Sequence, residues 1–121
     1  MLASCPMTIL YGIANCDTVK KARAWLTERG VAYEFHDFKK AGVPPEHMKA
    51  WIEALGWEKL LNRAGTTWRK LDPDTQALAV DAASASMLMQ EHTSVIKRPV
   101  VEWTGGRITV GFKPDQFEGH V

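Results

Sequence analysis

The fold of this chain is decided by residues 8–30, which read TILYGIANCDTVKKARAWLTERG. The apolar run Thr8–Gly12 predicts a short buried strand. After a tight loop over 12–15, a helix begins at Asp17 and ends at Gly30, which is typical of a glycine at a helix C-terminus. The apolar residues at helical spacing on one face are Val19, Ala22 and Leu26.

Between this strand and this helix lies Cys16. The first N–H groups of a helix lack partners within the helix and carry the positive end of its dipole. A thiolate is stabilised there, and the thiolate is the nucleophilic form of cysteine. We therefore expect Cys16 to be a reactive thiol, with Lys20 and Lys21 close enough to help. The alternative is a buried structural cysteine.

The strands further along the chain predict a mixed α/β fold. Tyr33–Phe38 alternates aromatic and polar residues and forms a second strand, so the chain opens with a right-handed βαβ unit. The strands Val100–Trp103 and Ile108–Gly111 are joined by the turn signal Gly105-Gly106. A last helix begins at Lys113-Pro114-Asp115 and runs through Phe117. The order βαβ, helical insert, ββα is the thioredoxin arrangement with an insertion before the third strand.

The insertion covers about residues 42–95 of a single domain spanning 1–121. A loop over Lys39–Pro45 precedes it. Met87 and Leu88 are expected to be buried. Helical pieces are predicted at Glu46–Leu55, Glu58–Leu61, Thr75–Val80 and Ser84–Glu91.

Composition excludes several classes of function. The 121 residues are 45% hydrophobic and 24% charged with a net charge of +1, so we expect neither nucleic acid nor a membrane surface as partner. No apolar run approaches the roughly 18 residues of a membrane span. Met1–Pro6 does not resemble a secretory signal, and a cytoplasmic location is expected. No spacing of cysteine and histidine suggests a metal site.

The second cysteine does not supply an obvious partner for the first. Cys5 reads as a terminal thiol, although a bridge to Cys16 stays open. A dithiol oxidoreductase carries Cys-x-x-Cys, whereas the third residue after Cys16 is Val19. An external thiol must then complete any turnover, and glutathione is the obvious candidate. No bound cofactor is expected.

Four basic residues are candidates for binding an anionic substrate: Arg98, Arg63, Arg69 and Lys113. Arg98 is the strongest because it precedes Pro99, which the fold order predicts to be a cis-proline facing the thiol. The alternative interpretation of each of the four is a solvated charge on the protein surface.

Two polar residues complete the sequence-based site. Asn15 and Thr18 are candidates for hydrogen bonds to the thiolate, although Asn15 also suits a turn or a helix cap. His36 is interpreted as a residue on a strand face and not as a general base.

The chain resembles the arsenate reductase-related ArsC/Spx/YffB family, and the YffB-like branch in particular. The resemblance lies in the following segments: Leu10-Tyr11-Gly12, Asn15-Cys16-Asp17-Thr18, Lys20-Lys21-Ala22-Arg23, Phe35-His36-Asp37, Leu60-Leu61-Asn62-Arg63, Gly65 through Leu71, and Ile96-Lys97-Arg98-Pro99-Val100. It implies an oxidoreductase whose single reactive cysteine, Cys16, attacks arsenate or a thiol-linked substrate, with glutathione and glutaredoxin as recycling partners.

The resemblance also indicates where this chain departs from its family. Arg98 matches one of the arginines that hold the oxyanion in arsenate reductases. Asn62 replaces a second, with Arg63 one position later, and Lys113 replaces an arginine before Pro114. These departures disfavour strong arsenate reductase activity, and the resemblance to the YffB-like branch implies a glutathione-dependent thiol reductase. The alternative is a regulator of the Spx type that binds RNA polymerase, which Val19 disfavours because Spx proteins carry Cys-x-x-Cys.

Overall fold

The computed structural model describes residues 8–104 and 106–120. It divides the chain into two compact units, which we call the sheet unit (Met1–Phe38 with Arg98–Val121) and the helical unit (Lys39–Lys97). The predicted insertion at 42–95 falls within the helical unit, and the single-domain interpretation stays a prediction. Within the described ranges, no helix is long and apolar enough to cross a membrane.

The sheet unit contains a four-stranded mixed sheet in the order β2-β1-β3-β4. β1 is parallel to β2 and antiparallel to β3, and β3 is antiparallel to β4. The strands are β1 (Thr8–Gly12), β2 (Tyr33–Asp37), β3 (Val100–Glu102) and β4 (Ile108–Val110). With the helix α1 (Asp17–Glu28) after β1 and α8 (Pro114–Glu118) after β4, this is the predicted thioredoxin-like arrangement.

One face of the sheet packs against α1 and α8 to form the core of this unit. Phe117 of α8 is fully buried and makes edge-on contacts with the rings of Trp25, Trp103 and Phe112. Arg29 and Glu118 join the ends of the two helices by an ion pair of 2.6 Å. The buried cluster consists of Leu10, Val19, Ala22, Leu26, Val101, Trp103 and Phe117.

His120, which follows α8, stacks on the same core. The His120 ring lies 5.1 Å from the Trp103 ring at an interplanar angle of 15°. Burial, with a smaller contribution from the positive charge of Arg107, lowers the pKa of His120 below its ordinary value.

The helical unit consists of short helices around its own buried side chains. The longer helices are α3 (Pro45–Leu55) and α7 (Ala82–Glu91), which pack against each other and against α4 (Trp57–Leu60). The shorter pieces are α2 (Phe38–Ala41, which starts at the last residue of the sheet unit), α5 (Thr66–Lys70), α6 (Pro73–Ala77) and a 3₁₀ turn at Thr93–Val95. The largest fully buried residues here are Trp51, Met48, Leu60, Met89 and Ile96.

Several sequence-based details in the middle of the chain are wrong. β2 ends at Asp37, and Phe38 starts α2 inside the region predicted as a loop. Met87 is 71% exposed because it lies on the outer side of α7, whereas Leu88 is buried as predicted. The helix predicted over Thr75–Val80 ends at Ala77, and Val80 is 71% exposed.

Other boundaries differ by one to three residues. Trp103 and Gly111 lie just beyond β3 and β4, and three helices begin earlier than predicted, at Pro45, Trp57 and Ala82. Of the predicted turn, Gly105 lies outside the described residues. Gly106 donates its N–H to the Trp103 carbonyl at 2.9 Å, as a turn between β3 and β4 requires.

Candidate active site

One edge of the sheet gathers most of the residues singled out from the sequence. β1 ends at Gly12, and the antiparallel register sets Tyr11 opposite Val100. Pro99, the residue before Val100, therefore lies at the level where β1 gives way to the Cys16 loop. β4 ends at the same edge, where the Gly111 N–H donates to the Pro99 carbonyl at 2.8 Å. The strand ends thus bring the Cys16 loop, Arg98-Pro99 and the start of α8 to one side of the sheet unit.

Cys16 is the N-cap residue of α1. Its backbone is extended, and its carbonyl accepts the Lys20 N–H at 2.9 Å, as the first hydrogen bond of the helix. Its side chain makes no capping hydrogen bond, is half-buried, and packs against the apolar cluster of the sheet unit. The thiol is free. Cys16 therefore occupies the predicted position, at a helix N-terminus, with a sulfur that is not committed to a structural bond.

The start of α1 is set by a close contact between Gly12 and Val19. A Cβ added at Gly12 would lie 2.7 Å from a methyl carbon of Val19, whose side chain is fully buried. Only glycine allows the first turn of α1 to approach β1 this closely. The sequence placed Gly12 at the end of the first strand and the start of the loop but did not predict the contact with Val19, although a glycine between a strand and a helix is a usable signal of close approach.

Replacing Gly12 by alanine tests this contact. We expect the free energy of unfolding to fall by about 1–3 kcal/mol, since a buried and branched side chain must shift to make room. Urea denaturation monitored by circular dichroism measures the loss. Gly119→Ala is the control, because its Cβ would meet nothing nearer than 3.5 Å. The same Gly12→Ala change in a Val19→Ala background is expected to cost less than half as much, and equal costs in both backgrounds contradict the contact.

Arg98 and Lys113 both belong to the sheet unit. The Arg98–Pro99 peptide bond is cis, as expected, Pro99 is buried, and Arg98 is half-buried. Lys113 is the exposed N-cap residue of α8. Arg98 lies just before the start of β3, and Lys113 lies shortly after the end of β4. Both therefore lie at the edge of the sheet where β1 leads into the Cys16 loop.

The remaining predicted site residues are exposed, two of them beside Cys16 in the chain and two in the helical unit. Asn15 and Thr18 are exposed neighbours of Cys16, and within the part of the chain that the structure describes neither is hydrogen-bonded to it. Arg63 and Arg69 are exposed and belong to the helical unit, where the Arg63 guanidinium lies 5.5 Å from the centre of the Trp57 ring.

Asn62 has a local structural role in the helical unit. Its side-chain oxygen accepts the Ala64 N–H at 3.2 Å, and its backbone N–H donates to the Val95 carbonyl at 2.8 Å. A Cβ at Gly65 would lie 2.9 Å from the Asn62 amide nitrogen. Asn62 thus shapes the turn that carries Arg63.

A polar group on the other face of the sheet was not anticipated from the sequence. The Tyr11 hydroxyl donates to a Glu102 carboxylate oxygen at 3.0 Å, and the Tyr11 ring lies 4.9 Å from the His36 ring. Burial, followed by the negative charge of Glu102, raises the pKa of Tyr11 above its ordinary value. No local sequence pattern pairs Tyr11 with Glu102, because only the β1–β3 register brings them together. His36 lies on β2, as predicted.

Across residues 8–104 and 106–120, no group of three or more His, Cys, Asp or Glu side chains is arranged to hold a metal ion.

Comparison with known proteins decides the family. The ArsC family model matches residues 11–120. The chain belongs to the ArsC family. Among solved structures, a YffB protein is 53% identical to this ArsC-family chain, with a TM-score of 0.88 and coverage of 94% of this chain and 98% of that chain. An arsenate reductase (ArsC) related protein from Brucella melitensis is 49% identical, with a TM-score of 0.72 and coverage of 98% and 97%.

This chain is also similar to proteins with a different description. The global transcriptional regulator Spx of Streptococcus agalactiae is 29% identical to this ArsC-family chain over 116 residues, which cover 92% of this chain and 80% of the regulator. The predicted membership of the ArsC/Spx/YffB family and the predicted fold class are confirmed. The roles assigned to individual site residues stay predictions.

Proposed function

We propose that this ArsC-family protein is a glutathione-coupled reductase that works through a covalent adduct on Cys16. The observation that carries the proposal is the state of Cys16: a free, half-buried thiol at the N-terminus of α1, without a capping hydrogen bond. The residue three positions later is Val19, which lies in the core. A single thiol in this position suits attack on a substrate followed by resolution with a second, external thiol.

The proposed reaction has two steps. In the first, the Cys16 thiolate attacks one sulfur of a disulfide-linked substrate, a new S–S bond forms on Cys16, and the other half leaves as a thiolate that takes up a proton. In the second, glutathione attacks the mixed disulfide and regenerates the Cys16 thiolate. When the half retained on Cys16 is glutathionyl, the two steps release the substrate thiol and one molecule of oxidised glutathione for each free glutathione consumed. For any other disulfide, a second glutathione attacks the released mixed disulfide, and two glutathiones are then oxidised for each substrate disulfide reduced. A glutathione-coupled reaction of this kind belongs in the reducing cytoplasm.

Arsenate would follow the same order of events. The Cys16 sulfur replaces an oxygen on arsenic with loss of water. Two thiols, supplied by glutathione or glutaredoxin, then form a disulfide with each other, and their two electrons convert arsenic(V) to arsenic(III). Water finally replaces the Cys16 sulfur on arsenic, which releases arsenite and regenerates the thiol. We propose the thiol-linked substrate as the better one, because Asn62 and Lys113 stand where arsenate reductases carry arginines. The fork of an arginine pairs with two oxygens of an oxyanion, whereas lysine offers a single charged centre.

We assign supporting roles to the residues around the thiol. Arg98 and Lys113 are proposed to bind the anionic groups of the substrate or of glutathione, and the sequence-based assignment of Arg63 as an anion-binding residue stays a prediction. Asn15 and Thr18 are proposed to donate hydrogen bonds to the thiolate or to the leaving group. Pro99 is proposed to form the wall of the site opposite Cys16.

The test measures turnover with both substrate classes. The full-length protein is assayed with glutathione on the mixed disulfide of glutathione and 2-mercaptoethanol, with formation of oxidised glutathione followed through glutathione reductase. A parallel assay uses arsenate with glutathione and glutaredoxin. We expect turnover of the mixed disulfide to exceed that of arsenate. No rate above the uncatalysed background on either substrate contradicts the proposal.

A second candidate function is a protein-binding regulator, with Cys16 regulatory or vestigial. The resemblance of this chain to Spx regulators, over most of its length, favours it. The absence of Cys-x-x-Cys at Cys16 and Val19 disfavours a disulfide switch of the Spx kind. Stable binding of this protein to purified RNA polymerase in gel filtration, together with no turnover in the two assays, would favour the regulator.

A further inference from the structure

Asp17 puts a negative charge directly beside the reactive thiol. It is the first residue of α1, immediately after Cys16, and it is exposed. Within the described ranges it forms no ion pair. We propose that Asp17 is a specificity-determining residue that slows the reaction of Cys16 with anionic partners relative to neutral and cationic ones. The inference rests on the proposed function only in taking Cys16 as the reacting group.

The Asp17 carboxylate lies near Cys16 because the two residues are adjacent in the chain. Consecutive Cα atoms are about 3.8 Å apart. In an α-helix every Cα–Cβ bond tilts toward the N-terminus, so the Asp17 carboxylate is directed toward the end of α1 at which Cys16 lies. The Cys16 sulfur is not held by a capping hydrogen bond. A partner that approaches this sulfur therefore also approaches the carboxylate.

The charges around Cys16 have mixed signs, so the net electrostatic effect on an approaching anion depends on Asp17. Lys20 and Lys21 are exposed about one turn further along α1, and Arg98 and Lys113 lie at the same sheet edge. These cations attract anions, whereas Asp17 opposes them from the position nearest to Cys16 along the chain. The repulsion grows with the charge of the partner. A doubly charged oxyanion is penalised more than a singly charged thiol compound, and a neutral disulfide is not penalised.

The substrate class follows from this balance. Asp17 shifts the reactivity of Cys16 away from small dense oxyanions and toward disulfides whose groups next to the reacting sulfur are neutral or cationic. In a family that contains arsenate reductase-related proteins, this carboxylate is a second feature, separate from Asn62 and Lys113, that selects against arsenate.

The test compares two alkylating reagents that react by the same mechanism but differ in charge. Iodoacetate is anionic and iodoacetamide is neutral, and both transfer their carbon to the thiolate with loss of iodide. In a Cys5→Ser background, the ratio of the iodoacetate to the iodoacetamide rate constant at Cys16 is expected to rise about three- to tenfold in Asp17→Asn, since one charge at this range is worth on the order of 1 kcal/mol. Taking the ratio cancels changes in thiolate content or exposure that affect both reagents alike.

Two further variants make the result specific. Glu28→Gln removes an exposed carboxylate at the far end of the same helix, about 18 Å away and beyond the screening length, so the ratio is expected to stay at the wild-type value. Asp17→Glu keeps the charge and is expected to keep the ratio within twofold of wild type. A wild-type ratio in Asp17→Asn, or an equal rise in Glu28→Gln, overturns the inference.

Alkylation separates this inference from the proposed function. The reagents react with the thiol once and need neither glutathione nor turnover. A protein without reductase activity can still show the expected change in ratio, in which case the proposed function fails and the role of Asp17 stands. In an active reductase whose ratio does not change in Asp17→Asn, the role of Asp17 fails and the proposed function stands.

Discussion

Cys16→Ser lowers turnover of the glutathione mixed disulfide by on the order of 10³-fold or more, because a serine hydroxyl does not ionise near neutral pH and forms no disulfide. The residual rate is expected to equal the uncatalysed exchange between glutathione and the substrate. The measurement is the initial rate at saturating glutathione for wild type and variant side by side. Mass spectrometry adds an independent readout: wild type forms a glutathione adduct that maps to Cys16, and Cys16→Ser does not.

The control for this prediction is the other cysteine. Cys5→Ser is expected to keep wild-type turnover, because the proposed mechanism resolves the adduct with an external thiol and not with Cys5. The Cys16→Ser protein must also unfold at the same urea concentration as wild type, within error, so that lost activity is not lost structure. A Cys16→Ser enzyme with more than a tenth of the wild-type rate contradicts the assignment of Cys16 as the nucleophile.

Phe117→Ala lowers the free energy of unfolding by about 3–5 kcal/mol, as expected for removal of a fully buried aromatic ring. Phe117 is completely buried, and its ring makes edge-on contacts at 4.9 Å with Trp103 and with Phe112. The loss is a large part of the total stability of a small domain, which is about 5–15 kcal/mol. Urea denaturation followed by tryptophan fluorescence measures it.

Two controls distinguish loss of the ring from loss of α8. Phe117→Leu keeps most of the buried volume and is expected to cost less than half as much as the alanine variant. Gln116→Ala changes an exposed neighbour on the same short helix and is expected to stay within about 0.5 kcal/mol of wild type. Equal costs for Phe117→Ala and Gln116→Ala would mean that α8 contributes little to the core.

The βαβ opening of the fold could be predicted from the sequence because its signals are local. Thr8–Gly12 forms β1 with the predicted bounds, and the buried face of α1 consists of the three residues expected from helical spacing. Each signal acts within one element: an apolar run for the strand, a period of 3.6 for the helix, and glycines at the ends.

The helical unit was harder to predict because its elements are short and weakly patterned. Phe38 follows the aromatic alternation of β2, yet it is buried as the first residue of a four-residue helix. Around α7 nearly every residue is apolar or small, so composition does not separate an exposed Met87 from a buried Leu88. Helices of four or five residues lie below the length at which periodicity carries information.

The candidate site could be predicted from the sequence only where its signals are local. The position of Cys16 follows from one strand and the next helix, which are adjacent in sequence. The close contact of Gly12 with Val19 requires knowledge of how tightly α1 approaches β1, and the bond between Tyr11 and Glu102 requires the β1–β3 register. The sequence alone contains no information on these distances beyond the choice of residue types.

The exposure of Met87 has a practical consequence for any experiment that applies an oxidant. Its thioether, on the outer side of α7, is open to peroxide, whereas Met48 and Met89 are fully buried. Conversion of Met87 to the sulfoxide adds one oxygen atom, as does conversion of Cys16 to the sulfenic acid. The two products have the same intact mass, but only the sulfenic acid reacts onward with a thiol. Peptide-level analysis of the α7 segment therefore belongs with every measurement of Cys16 oxidation, and a Met87→Leu protein gives the simpler spectrum.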